Sequence, residues 1–358
     1  MLYPKSRATQ PGRASTSGFR PGHFYRAALI CLFVAALLLA QVAQPDGAGV
    51  RPGVLPAAWL VGGPKCMEVE EFRTHEYNED FYILRQSGCS HYEKPFLYLL
   101  FGEDKAILFD TGAGQTNVAR HVLEVRDRWL KRKGRASIPL IVAHTHGHSD
   151  HTAGDPQFQN LPGVTFVAGT VEAQKQFFGI TNWPEQFVTF DLGKRVLDIF
   201  PIPGHEKAAI AIYDRQTGVL LSGDNLYPGR LYVFDDAAFI ASTDRMVKFT
   251  EGKVIAHILG CHIENTNTPY LEYSIGSIFQ PDEARLDMTR GHLLELQEAL
   301  HKMKGGRIER LAMRDFTIWP MPPEVMKRMR DWRKLTEEKQ RLTQWDQPAK
   351  QERIAEPK

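Results

Sequence analysis

Short apolar runs broken by glycine and charge dominate the chain from about residue 81 onward. Phe81-Tyr-Ile-Leu, Phe96-Leu-Tyr-Leu-Leu-Phe and Ala106-Ile-Leu-Phe are the first three. Runs this short, rich in aromatic and branched residues, predict strands rather than helices. The pattern continues with strands at Leu140–Ala143, Val164–Val167, Phe187–Phe190 and Val196–Ile199. Ala208–Tyr213 and Val219–Leu221 form a hairpin-like pair around Arg215-Gln-Thr-Gly218. Two more strands follow, at Val254–Leu259 and Thr317-Ile-Trp. Between them the spacing lengthens to that of helices. Val118, Val122, Val125 and Trp129 share one face of a helix over Val118–Lys133. Further helices are predicted at Val171–Phe178, Phe239–Phe249 and Asp282–Met303, the last with Leu286, Leu293, Leu296 and Leu300 among its apolar positions. Strands and helices alternate without internal repeats. That order predicts an α/β layered fold with its loops gathered at one sheet edge.

The two ends read differently. Residues 1–26 are rich in Pro, Gly, Ser, Thr and Arg and predict a disordered basic leader. Residues 27–43, AALICLFVAALLLAQVA, have an uninterrupted apolar part only from Ala27 to Ala40. A spanning helix needs roughly 20 residues, so a basic leader before a short apolar core predicts a secretory signal peptide. The small-residue cleavage signal is poor, which keeps an uncleaved membrane anchor as the alternative. The expected location is therefore periplasmic or extracellular, or attached to the membrane by this segment. Residues 44–65 hold four prolines and predict a linker. The folded domain is expected over residues 66–320. Residues 321–358 are charged and poor in apolar positions, predicting a solvated helix and a frayed tail.

Composition adds little. The 358-residue chain is 43% hydrophobic and 24% charged, ordinary for a globular protein. A net charge of +2 names no partner, and much of the basic excess lies in Arg7, Arg13, Arg20 and Arg26 of the leader. Nothing beyond it forms a nucleic-acid-binding stripe. The four cysteines are Cys31, Cys66, Cys89 and Cys261. Export would permit a Cys66–Cys89 disulfide, whose geometry the sequence leaves open.

The chemistry concentrates in His144-Thr-His-Gly-His-Ser-Asp-His151, four imidazoles and a carboxylate in eight residues just past a predicted strand. Imidazole is the commonest protein metal ligand. Three later stretches each place one more ligand type after a β-like run: His205 after Pro-Gly, Asp224 in Ser-Gly-Asp and His262 in Gly-Cys-His. Asp110-Thr-Gly precedes them all.

Over roughly residues 80–265 these five motifs, in this order, resemble the metallo-β-lactamase-fold hydrolase superfamily, which includes glyoxalase II-like thioesterases, lactonases and β-lactamases. The resemblance implies a four-layer αβ/βα sandwich with a metal site between the edges of two sheets. It implies that His146, His148 and His205 hold a first metal. Asp150, His151 and His262 would hold a second, with Asp224 bridging the two. Two zinc ions are expected; iron or manganese is compatible with the ligand types. A bridging water would lose its proton near neutral pH and act as nucleophile, with Asp150 orienting it and carrying a proton. Asp110 is expected to order the His loop through hydrogen bonds. His144 is expected to be structural, and Cys261 a small packed residue.

The expected function is a metal-dependent hydrolase acting on a small-molecule ester, thioester, lactone or amide. The alternative is a mononuclear iron oxidoreductase of the thiol-dioxygenase type on the same scaffold, which would dispense with the second ligand set. The short interval from His205 to His262 lacks the long insertion of nucleic-acid-processing relatives. The imidazole of His148 stands where diiron oxygen-reducing relatives carry Glu. After His205 many relatives continue with Thr, whereas this chain has Glu206-Lys-Ala-Ala. Tyr227, Arg230 and Tyr232 are candidates for the substrate mouth, Arg230 being equally readable as a solvated surface residue. Glu264, Asn265 and Thr266 follow His262 and are candidates to face the site.

Overall fold

The computed structural model describes residues 49–59, 69–303, 305, 307–322, 324–328, 330–331 and 334–335. The basic leader, the apolar segment, Cys66 and the chain after residue 335 lie outside the described residues. The expectations placed on them, the Cys66–Cys89 disulfide included, lie outside as well. Among the described residues no helix is long and apolar enough to cross a membrane.

One six-stranded sheet runs in sequence order: β1 (Phe72–Asn78), β2 (Phe81–Gln86), β3 (Phe96–Phe101), β4 (Ala106–Phe109), β5 (Leu140–Ala143) and β6 (Val164–Phe166). A second contains β7 (Val188–Asp191), β8 (Val196–Pro201), β9 (Ile210–Asp214), β10 (Val219–Gly223), β12 (His257–Gly260) and β13 (Asp287–Met288). Its spatial order is 13-12-10-9-8-7. Between β10 and β12 the chain forms β11 (Arg230–Val233), which joins β15 (Thr317–Pro320) and β14 (Leu311–Ala312) in a small third sheet. The helices are α1 (Val118–Lys133), α2 (Ser149–Thr152), α3 (Val171–Phe178), α4 (Asp236–Phe249) and α5 (Arg290–Lys302).

The two-residue period of the strands sorts their side chains into three cores, and these define four layers. In β3, Phe96, Tyr98 and Leu100 point into the core between the two large sheets, and Leu97, Leu99 and Phe101 point to the opposite side. The outer residues of the first sheet meet Val118, Val122, Val125 and Trp129, the predicted face of α1. In the second sheet, Ile210 and Ile212 of β9 enter the central core, and Ala211 and Tyr213 meet α4 and α5 through Phe239, Met246, Leu293 and Leu296. Each such fully buried side chain contributes about 1.5–3 kcal/mol. The result is an αβ/βα sandwich, as expected. Arg195 links the sheets: it is paired with Asp214 at 2.6 Å and donates to the carbonyls of Asp80 and Phe101.

One strand is added to the expectations and three of them are corrected. Strand β1, Phe-Arg-Thr-His-Glu-Tyr-Asn, was not foreseen, because an edge strand with one wet face carries charges that hide its period. The helix expected from Asp282 begins at Arg290: residues 287–288 pair with β12 as an edge strand, and Thr289 caps the helix with His292. The described part of the expected linker packs on the domain. Trp59 is buried against Phe96, and Gly53 lies so close to the Tyr77 carbonyl that a Cβ would sit 1.9 Å from it. Lastly, Met321, Met326 and Arg330, in the stretch expected to form a solvated helix and frayed tail, line a cavity.

Candidate metal centre

Each candidate ligand follows the end of a strand. His146 and His148 lie on the loop after β5, and Asp150 and His151 on the single turn of α2. His205 follows β8, Asp224 follows β10 and His262 follows β12. At Gly204, with φ +136°, a Cβ would lie 2.4 Å from the Phe239 backbone, so only glycine lets the chain turn there. Glu206, the departure from the usual sequence, accepts the N–H of Gly147 at 3.2 Å and of Ala208 at 2.7 Å. It thereby joins the His205 loop to the His146–His151 loop.

The side chains converge in two sets whose ligand atoms lie within 4.8 Å of one another: His146, His148 and His205, then Asp150, His151, Asp224 and His262. Asp224 touches both. Its Oδ2 lies 3.7 Å from His146 Nε2, 3.4 Å from His205 Nε2, 3.6 Å from His151 Nε2 and 3.3 Å from His262 Nε2. Nitrogen also approaches nitrogen, with His205 Nε2 3.0 Å from His148 Nδ1 and His262 Nε2 3.3 Å from His151 Nε2.

Outer hydrogen bonds fix which nitrogen faces inward. His205 Nδ1 donates to the Tyr232 carbonyl at 2.8 Å, and His262 Nδ1 to the Glu93 carbonyl at 2.9 Å. His151 Nδ1 donates to Asp110 Oδ2 at 3.0 Å. The Thr145 hydroxyl donates to Asp110 and so accepts from His146 Nδ1 at 3.1 Å. In all four rings Nε2, the nitrogen a metal would take, is turned to the centre. His146 Nε2 and Asp224 Oδ1 are buried with no hydrogen-bond partner among the described residues. Such orphaned atoms are costly in a folded core unless a cation takes them, so this donor set fits metal ions.

Asp110 sits behind this arrangement. It is fully buried and also accepts the Thr145 N–H at 2.7 Å and the Cys261 thiol at 3.5 Å. Its φ of +71° is a left-handed conformation that costs a non-glycine residue energy. His144 is structural, as expected, bonded to the Val167 carbonyl and Asp155. Cys261 packs in the central core, and burial, with Asp110 beside it, pushes its thiol upward.

The two sets differ in charge. Burial lowers His146 far below the ordinary imidazole range, lowers His148, and brings His205 down to about 4. Burial also opposes charge on His151 and His262, but the carboxylates outweigh it. Asp150, Asp224 and Asp110 raise His151 well above its usual value, and Asp224 with Asp150 raises His262 to about 10. Reciprocally, the imidazoles hold Asp150 and Asp224 well below the usual carboxylate range against burial.

A cavity of about 290 Å³ opens over these residues. Tyr227, Arg230, Tyr232 and Glu264 line it. Asn265 and Thr266 do not; they pair with Glu272 and Glu283. Arg230 is no surface residue: it is buried, with Nη1 3.1 Å from Glu264 and Nε 2.8 Å from Glu272. Tyr227 donates to the Arg230 carbonyl. Burial, with Glu264 nearby, keeps the Tyr232 phenol protonated. Other lining residues were not foreseen, among them Lys94, Ser274–Gly276, Gln280 and Met326. No motif marks them; the nearest signal was that they flank foreseen elements.

Residues 95–257 match the family model of the metallo-beta-lactamase superfamily. Over these residues the chain resembles that superfamily. The chain is similar to the acyl-coenzyme A thioesterase MBLAC2 of Bos taurus, 23% identical over 201 residues, covering 46% of this chain and 72% of that one. It is also similar to a hydroxyacylglutathione hydrolase of Synechococcus sp., 26% identical over 159 residues, covering 44% of this chain and 60% of that one. Among solved structures, a metallo-beta-lactamase from Pontibacter korlensis aligns with a TM-score of 0.44 at 15% identity, over 65% of this chain and 100% of that one.

Proposed function

We propose that the chain is a metal-dependent hydrolase with two metal ions, zinc being the expected metal, acting on an acyl thioester or a related ester, lactone or amide. The observation that carries this reading is the position of Asp224 Oδ2, 3.3–3.7 Å from imidazoles of both ligand sets. A carboxylate placed there suits a pair of ions. The completeness of the second set weighs against the mononuclear iron alternative. The thioester preference comes from the relatives, whose names describe a thioesterase and a hydrolase of an acylated thiol.

Bound ions would supply Lewis acidity and a water made acidic enough to attack a carbonyl. The remaining work falls to the chain. Asp110, the Glu93 carbonyl and the Tyr232 carbonyl hold three imidazoles in one tautomer. Asp150 lines the cavity and, beside bound ions, would orient the attacking water and relay its proton to the departing group. The protonated Tyr232 hydroxyl offers a donor to the substrate. Residues 1–43 are read as an export signal or membrane anchor; N-terminal sequencing of the cell-derived protein decides, a start near residue 44 meaning cleavage.

The test has two arms. Metal analysis should find close to two ions per chain; fewer than one, with full activity in His148→Ala, would end the dinuclear reading. A panel containing a thioester, an aryl ester, a lactone, a β-lactam and a phosphodiester should show turnover of an acyl substrate that Asp224→Ala abolishes.

A further inference from the structure

Among the described residues two cations of the cavity wall, Lys94 and Arg330, have no carboxylate partner, and of the two Lys94 is the buried one. Lys94 is 3% exposed and lines the cavity. Arg230, in the same wall, is neutralised by two carboxylates, and nearby Arg85 is paired with Glu283 at 2.5 Å. Lys94 has no carboxylate at ion-pair distance among the described residues. Its Nζ is held by two carbonyls, Tyr92 at 2.5 Å and Ser277 at 2.8 Å. An ammonium has three N–H groups, so one remains to be used. Burying an ammonium without a counter-ion is costly and calls for an anion at some stage of function. Burial, reinforced by Arg85, lowers Lys94 to about 8, which leaves it charged at neutral pH.

Two further observations show that the position is built. Lys94 has φ +49°, a left-handed conformation disfavoured for a side chain of this size, and Pro95 follows it. Gly88 packs beneath it: a Cβ there would lie 3.0 Å from Lys94 Cδ and 2.0 Å from the Ile278 carbonyl. The preceding residue, Glu93, is the one whose carbonyl orients His262. The same short loop therefore places a candidate metal ligand and a buried ammonium on one cavity.

We propose that Lys94 binds a carboxylate of the substrate, so that the preferred substrate is an acyl ester or thioester bearing a free carboxylate. The proposal rests on the hydrolase reading. A single remaining N–H between two carbonyl acceptors suits one carboxylate oxygen. A phosphate, with more charge and more acceptors, calls for several donors and would face those carbonyls.

The test uses the metal-loaded full chain and two esters, 4-nitrophenyl hemiglutarate and the neutral 4-nitrophenyl butyrate. Wild type should favour the hemiglutarate in kcat/KM by about tenfold or more, the scale of one charge-assisted hydrogen bond. Lys94→Gln should raise KM for the hemiglutarate by about that factor, with kcat nearly kept and the butyrate unaffected; Lys94→Arg should restore part of the preference. Equal losses on both esters would assign Lys94 a structural role and overturn the proposal. So would a wild-type preference for the butyrate, a result that needs no folded variant. Calorimetric titration with glutarate separates this from the hydrolase reading. If wild type hydrolyses neither ester yet binds glutarate more tightly than Lys94→Gln, the hydrolase reading fails and the carboxylate site stands. Hydrolysis without any difference in binding or KM does the reverse.

Discussion

The floor of the cavity and its wall hold their charges in different ways. On the floor, four of the five inward-facing imidazoles are oriented by an outer partner, such as Asp110, Thr145 or a backbone carbonyl, and the acceptors converge on a place for cations. In the wall, cations and anions restrain one another or lean on carbonyls: Arg230 between Glu264 and Glu272, Lys94 between Tyr92 and Ser277. The floor is organised to receive positive charge from outside. The wall already contains its own, and among the described buried cations that line it Lys94 is left without a countercharge. Substitutions in the floor should therefore act on metal content and catalysis, and those in the wall on stability and substrate choice.

The largest effect expected is from Asp224→Ala. It removes the carboxylate common to both ligand sets and should lower turnover by roughly 10³-fold or more, the scale of losing a principal electrostatic contributor. Metal content measured on the same sample should fall with it; retained metal and activity would erase the distinction between floor and wall. Arg230→Met comes next. It strands Glu264 and Glu272 in a largely buried wall and should cost about 3 kcal/mol in urea unfolding, with metal content unchanged.

Lys94 supplies a pH-dependent comparison of similar size. Its pKa is about 8 in the fold against 10.5 for the free side chain. The unfolded chain therefore binds more protons between these values, and stability rises with pH across that window. The contribution is fully present above about 10.5 and is lost as pH falls through 8, a change of about 3 kcal/mol. Unfolding curves of wild type and Lys94→Gln should diverge across that window, and parallel curves would refute the buried-ammonium picture. The smallest effect is expected from Asp110→Asn. It keeps the shape behind the floor but weakens the hold on His151, and should reduce metal affinity by about 10–100-fold without changing the ratio of activities on charged and neutral esters.

The same contrast explains what could be read in advance. The convergence of the floor was legible because its candidate ligands are local: His146, His148, Asp150 and His151 fall within six residues, and His205, Asp224 and His262 each follow a recognisable strand. The layers were legible because strands such as β3 are apolar on both faces. The wall was not. Lys94, Ser274 and Met326 meet only in three dimensions, and nothing in their own neighbourhoods distinguishes them from loop residues. Arg230 shows the limit well, since a charge flanked by tyrosines reads equally as solvated or buried until Glu264 and Glu272 are placed around it. Strand β11 escaped for a related reason: its partner β15 lies far along the chain.

The division of the ligands between the two large sheets has a consequence for how the protein comes to exist. The first sheet brings His146, His148, Asp150 and His151; the second brings His205, Asp224 and His262. The halves are joined next to the site by the Phe96 N–H on the Cys261 carbonyl at 2.8 Å and the Ile210 N–H on the Thr145 carbonyl at 2.9 Å. Those contacts span long stretches of sequence, and where loop closure limits folding they are expected to form late. A half-folded chain can offer an ion at most one side of a cradle. Ions are therefore poor nucleators of this chain and good locks for it: they should leave the early folding rate nearly untouched and slow the parting of the two sheets during unfolding.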